Sequence, residues 1–142
     1  TLLAAERRAE ATVTPVVARI HAGLARAPVV HWDETGMFVS DGAHGGGPAR
    51  GWWLHVACTP TLTHYTPHPR RGTGAHAAIG LLPTYTGTAV HDAYASYFTY
   101  AGCTHALCGA HLLRELLFFE ETEGAAWARA IRRALTTMHR AT

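Results

Sequence analysis

Lysine is absent from this sequence. All twelve basic residues are arginine, a bias that GC-rich coding accounts for without a functional reading. A large charge excess is absent too: a net +2 at pH 7 is too small to argue by itself for a nucleic-acid surface, although eleven histidines can add positive charge on mild acidification. No apolar run approaches the roughly 18 residues of a membrane span. No basic-then-apolar leader opens the sequence, so neither a membrane segment nor a secretory signal is expected. Cysteines are few and odd in number (Cys58, Cys103, Cys108). That argues against a disulfide framework and for a reducing, cytosolic setting.

What remains is the composition of a globular domain. The chain has 142 residues, 48% of them hydrophobic and 15% charged. A chain of this size can bury roughly 68–70% of its unfolded surface, enough for a real core.

The hydrophobic pattern changes period along the chain. Residues 1–27 read as a helical lead-in, with Val13, Val16, Val17 and Ile20 at helical spacing and Pro15 marking a break or the start of a second helix. Pro28–Asp33 is a β-rich run ending in an acid, with a continuation over Gly36–Ser40 past a kink at Gly36. A Gly-rich turn over Asp41–Ala49 separates it from a second strand, Arg50–Cys58, and a third follows at Leu62–His68. Ala75–Leu82 reads as a short helix, and Thr88–Asp92 as another short strand ending in an acid. Ala93–Tyr100 has Tyr94, Tyr97 and Phe98 at helical spacing; Cys103–Cys108 reads as a last strand. His111–Glu121 and Ala125–His139 are apolar-striped and basic helices respectively.

The order is therefore an antiparallel meander followed by strand–helix–strand crossovers. It predicts an α/β fold with a mixed sheet and helices packed on it, in RNase H-like order. The core is expected over residues 28–117, with 118–142 beginning a helical insertion.

Asp33 and Asp92 each close a short apolar run. Ligand sites of α/β sheets gather at carboxyl ends of strands. If the two strands are neighbours, the two carboxylates share a small volume and repel unless a cation neutralises them. Mg²⁺ suits such a site, being hard and commonly held by one or two carboxylates plus substrate phosphates. The competing structural reading is that each Asp caps a turn, with Asp92 as N-cap of Ala93–Tyr100.

Other residues invite chemistry with a structural alternative beside each. Cys103, His105, Cys108 and His111 suggest zinc, but strand alternation divides them and the spacing departs from the usual paired forms. Cys108 then reads as a small buried hydrophobe and His111 as a polar hinge. Arg70 and Arg71 are candidate DNA contacts or simply solvated loop charges. Trp52 and Trp53 face opposite sides of their strand. His31 and His91 point away from the acids they precede. Arg129, Arg132, Arg133 and Arg140 make the tail helix basic, either toward phosphates or toward solvent.

Four blocks, HWDETG (residues 31–36), GWWLHVACTPTLTHYTPHPRRG (51–72), VHDAYASYF (90–98) and HALCGAHLLREL (105–116), resemble in order and spacing the IS66 family of insertion-sequence transposases. The resemblance implies a DDE catalytic domain of RNase H-like fold that cleaves phosphodiester bonds and transfers strands with Mg²⁺ or Mn²⁺. It matches Asp33 and Asp92 to the first two catalytic, metal-holding acids. It matches Cys108 and His111 to a C-x-x-H signature, with Arg114 and Glu115 in the adjoining helix as structural or supporting residues. The family's final Glu lies further along, beyond a mostly helical insertion, and no residue here matches it. Residues 1–142 alone are therefore expected to lack a complete metal site. The implied partners are transposon-end and target DNA, with self-association; the implied place is the bacterial cytoplasm, at the nucleoid when acting. An RNase H-type nuclease and a non-catalytic remnant that only binds DNA remain the alternatives.

Overall fold

A computed structural model describes residues 1–39 and 50–141. The Gly-rich turn expected over Asp41–Ala49 lies outside the described residues. Helix α1 (Leu2–Arg26) leads into strand β1 (Val29–Val39), followed by β2 (Arg50–Cys58) and β3 (Thr63–His68). Helix α2 (Thr73–Ile79) and a 3-10 turn (Leu82–Thr84) precede β4 (Thr88–His91). A second 3-10 turn (Tyr97–Thr99) leads to β5 (Thr104–Leu107), then α3 (Gly109–Glu123) and α4 (Ala126–Arg140).

The five strands form one mixed sheet in the order β3-β2-β1-β4-β5. β1 runs antiparallel to β2 and parallel to β4, and β2 runs antiparallel to β3. The expected meander and α/β class are thus present, with four α-helices among the described residues. The chain divides into two compact units, residues 1–105 and residues 106–142.

Three local expectations fail for identifiable reasons. Pro15 does not break α1; the helix runs through it. Gly36 does not kink β1 but pairs in register with Trp53, so the ladder continues to Val39. Ala93–Tyr100 is not an α-helix. The Asp92 Oδ1 accepts the Tyr94 N–H (3.0 Å), an Asx turn that spends the side chain two residues on, and only a 3-10 turn follows. Tyr94 and Tyr97 keep the helical spacing that suggested otherwise, but Tyr97 is buried in the sheet's core.

That core lies on one face. Val30 and Trp32 of β1, Ala57 of β2 and Ala89 of β4 point into it, under Leu24 of α1 and Leu81, Leu82, Tyr85 and Tyr97 from the connections. Tyr85 ties these layers by donating its hydroxyl to the Ala27 carbonyl at 2.8 Å. Alternation along β1 then gives Glu34 to the same buried face and Asp33 to the exposed one.

Candidate active site

The β1–β4 register aligns Val29 with Thr88, Val30 with Ala89 and His31 with Val90. Asp33 and Asp92 each follow the last of these pairs by two residues, Asp33 within β1 and Asp92 just past the end of β4. One expectation is corrected here. Asp33 does not end its strand; it sits inside the longer β1, paired with Val56 of β2. Asp92 does follow directly on β4. β1 therefore carries its acid past the end of β4, and the space beside Asp92 is where β4 stops and β1 goes on.

Asp33 is exposed, and its Oδ1 accepts the Glu34 N–H at 2.9 Å. Its charge also reaches Cys58, whose thiol is pushed up first by burial and then by Asp33. Asp92 is partly buried, and its Oδ2 lies 3.6 Å from the Arg71 Nη2.

Arg71 is the hub of the site. Its Nε donates to the Glu34 Oε1 at 2.6 Å, and Glu34's side chain is only 1% exposed. Its guanidinium lies 3.9 Å from the Tyr94 ring centroid and 4.9 Å from that of Trp53. Burial works against the Arg71 charge, but the hydrogen bond and charge of Glu34, with Tyr94 and Asp92, outweigh it and raise its pKa. Gly72, at φ 82° and ψ −155°, makes the sharp entry to α2 that follows Arg71; a side chain there would be strained and would crowd the Tyr94 hydroxyl at 3.3 Å.

Tyr97 closes the network by donating its hydroxyl to the Glu34 Oε2. Its pKa is strongly raised, first by burial, then by Glu34, then by Asp92 and Asp33. All three carboxylates thus act on one hydroxyl. Two carboxylates (Glu34 and Asp92) share one guanidinium, so this part of the site retains negative charge.

Beneath Asp92, His91 is fully buried and stacks on Tyr97 with ring centroids 4.5 Å apart. Its Nδ1 donates to the Asp92 carbonyl, and its Nε2 lies 2.9 Å from the His105 Nδ1. The His105 Nε2 faces the Tyr100 carbonyl at 3.1 Å. His91 thus steadies the backbone of Asp92 from the core side.

A second cluster lies on the buried face. Glu34 pairs across the ladder with His55, and His76 of α2 comes in over both. The His55 Nε2 donates to the Arg70 carbonyl at 3.1 Å. His76 is buried, and neither of its ring nitrogens has a hydrogen-bond partner among the described residues. An orphaned buried polar atom costs about 1–3 kcal/mol, so this ring asks for an explanation. Burial, then the proximity of His55, lower its pKa to about 4 against the pull of Glu34.

The other sequence-derived candidates sit as follows. Arg70 is exposed; its carbonyl accepts from His55, and its N–H donates to the His68 Nδ1 at 3.0 Å. Cys103 is buried, with its thiol donating to the Tyr100 carbonyl (3.4 Å) and 3.9 Å from the His105 Nε2. Cys108 is half-buried at the N-cap of α3, and His111, Arg114 and Glu115 lie within that helix in the second unit. Within the second unit Glu115 lines an apolar cleft with Leu112, Leu116, Phe119 and Trp127. Arg129 and Arg132 both pair with Glu120.

Sequence reasoning missed Glu34, Tyr97, His55 and His76. A signal existed for Glu34: it shares strand parity with Val30 and Trp32, so alternation alone assigned an acid to the buried face.

A family model described as the IS66 family of transposases matches residues 1–142. No curated protein and no solved structure matches the chain.

Proposed function

The chain belongs to the IS66 family of transposases, and from that premise we propose that Asp33 and Asp92 are two of the carboxylates of a DDE site on an RNase H-like core spanning residues 28–117. The observation that carries this reading is the register: Asp33 in β1 and Asp92 just past β4 each lie two residues beyond the His31–Val90 pair of these adjacent parallel strands, in a sheet ordered β3-β2-β1-β4-β5 whose first three strands are antiparallel. That strand order supports the RNase H-like assignment.

The donor chemistry fits a hard divalent cation. Both side chains offer only oxygen, Asp33 is exposed, and Asp92 is partly accessible. When bound by such acids, Mg²⁺ or Mn²⁺ supplies an activated attacking oxygen and a stabilised leaving one in phosphoryl transfer. The rest falls to the chain. Arg71 holds the Asp92 carboxylate against the fixed Glu34, and the Asx turn to Tyr94 fixes its other oxygen. Preorganised carboxylates matter because phosphoryl transfer depends on positioning and charge stabilisation rather than on covalent help from the protein.

Arg71 is thereby a positioning residue, and Arg70, exposed beside it, is the better candidate for a DNA phosphate. The partners proposed are the ends of the mobile element and its target DNA. No residue here matches the family's third acid, so residues 1–142 assayed alone are proposed to be inactive.

The test is cleavage and joining of element-end DNA with Mg²⁺ or Mn²⁺ by the transposase carrying these residues. Asp33→Asn and Asp92→Asn should each abolish both steps, by a factor of roughly 10³ or more where metal placement is lost. DNA binding should persist in each. Retained cleavage in either variant, with folding unchanged, would remove that aspartate from the site. Robust cleavage by residues 1–142 alone would mean that a carboxylate in this chain completes the site, with Glu115 the first to substitute.

A further inference from the structure

The buried side of the sheet carries a donor set of which the transfer chemistry uses only Glu34, and that only to hold Arg71. Glu34 comes from β1, His55 from β2 and His76 from α2, and one donor atom of each lies within 4.8 Å of the others. Among the described residues this is the only group of three or more His, Cys, Asp or Glu side chains so placed. From this convergence we infer that the protein binds one divalent cation of borderline softness, zinc being the best match, between Glu34, His55 and His76, as a staple joining α2 to the sheet.

Each ligand has a reason of its own. His76 presents two buried ring nitrogens with no hydrogen-bond partner among the described residues, and a metal ion supplies a partner that the protein does not. His55 has its Nε2–H fixed on the Arg70 carbonyl, which leaves the Nδ1 lone pair free. A ligand histidine anchored through its other nitrogen to a carbonyl is the usual arrangement around protein-bound metals. Glu34 accepts Arg71 on one oxygen and Tyr97 on the other. A carboxylate has about four acceptor sites, so capacity remains.

Charge and space agree. Arg71 is shared between Glu34 and Asp92, so negative charge is left over to favour a cation. His55 and His76, though not Glu34, line a small cavity of about 20 Å³ that also reaches Trp32, Asp33 and Tyr97. It has room for one water beside the two histidines, and a three-residue tetrahedral zinc site takes a water as its fourth ligand. Two imidazoles and one carboxylate favour zinc or a neighbouring transition ion over Mg²⁺, which prefers oxygen throughout. The ion is therefore distinct in chemistry from the one that Asp33 and Asp92 would hold.

The test uses the full chain, stripped with a chelator and titrated with Zn²⁺, then with Co²⁺ for its absorption spectrum. One ion per chain is expected, with a melting temperature that rises on zinc addition and falls back on chelation. His55→Gln and His76→Gln should each weaken binding by roughly tenfold or more, whereas the double variant Cys103→Ser, Cys108→Ser should bind zinc as the unaltered chain does. X-ray absorption on the zinc-loaded, unaltered protein reads the ligands without any substitution, so a variant that fails to fold does not leave the question open. Two imidazole nitrogens with oxygen donors support the site. Sulfur in the coordination sphere, no stoichiometric zinc, or unchanged affinity in both histidine variants would overturn it.

Discussion

Both units of the chain hold a glutamate against arginine, and the two arrangements differ in what surrounds them. In the sheet unit, Glu34 is sealed in the core against Arg71 and Tyr97. In the helical unit, Glu120 of α3 takes Arg129 and Arg132 of α4, at 2.8 and 2.7 Å, near the surface. The cores differ in the same sense. The sheet unit buries Leu24, Val30, Trp32, Leu81, Leu82, Tyr85 and Tyr97 together. The two helices bury Ala128 alone, and Phe118, Trp127, Ile131 and Met138 remain exposed. Where apolar burial is plentiful, a charged group can be taken out of water and held in one geometry. Where it is scarce, the charges stay at the surface and the pairs are screened. Positioned carboxylates therefore belong to the sheet unit.

The sharpest way to break this contrast is to remove Arg71. Arg71→Ala leaves Glu34 buried without its cation, which costs about 3 kcal/mol, the low end of the range for breaking a buried pair, because Arg71 is itself 32% exposed. It also frees Asp92. Urea unfolding followed by tryptophan fluorescence, with Trp127 of α4 replaced by Phe throughout, reads the sheet unit, which holds Trp32, Trp52 and Trp53. A change below about 0.5 kcal/mol, the size of a surface substitution, would place Glu34 in contact with water and remove the contrast.

A somewhat smaller effect comes from His76. Its pKa in the fold, about 4, lies below the ordinary value of 6.5. The fold therefore prefers the neutral ring. That preference costs nothing above the unfolded pKa and takes stability away as pH falls from about 6.5 toward 4. The loss is on the order of 3 kcal/mol across that range. His64, lowered by burial and by His21, adds in the same direction. In the presence of a chelator, denaturation midpoints measured from pH 7 down to 4.5 should decline, and His76→Leu should flatten the decline. An equal slope in that variant would assign the acid sensitivity elsewhere.

These effects also show what the sequence could and could not reveal. The element order was readable because period and turn residues are local: the short apolar runs before Asp33 and Asp92, and the turn residues between β2 and β3, sit next to what they specify. That the two aspartates come level depends instead on the β1–β4 register, which pairs His31 with Val90 and is written in no local spacing. The Glu34–His55–His76 group is not local. It needs the β1–β2 register, which pairs residues 34 and 55, and then the placement of α2, which no spacing within α2 encodes. The false helix at Ala93–Tyr100 has the converse cause. Its aromatic spacing fits a helix, but Tyr97 serves Glu34 and His91 instead, and burial by partners distant in sequence overrode the periodic pattern.

The smallest effect expected is in the helical unit, and it sharpens the comparison from the other side. Glu120's pKa is lowered, first by the hydrogen bond from Arg132, with Arg129 adding to it, against the opposing effect of desolvation. A lowered carboxylate pKa contributes stability that is present above the ordinary value and lost as pH falls through the folded one. Because the pairs are at the surface, salt screens them and the ordering of two arginine side chains offsets much of the gain. Glu120→Gln should therefore leave the fluorescence-detected transition of the sheet unit unchanged. It should slightly reduce the helical circular dichroism signal at low ionic strength, and salt near 1 M should erase the difference between variant and parent. The measurement is a pair of thermal scans on each protein, in low and in high salt. A salt-independent loss in Glu120→Gln as large as that in Arg71→Ala would mean that Glu120 is as sequestered as Glu34, and the two units would then hold their charges by the same means.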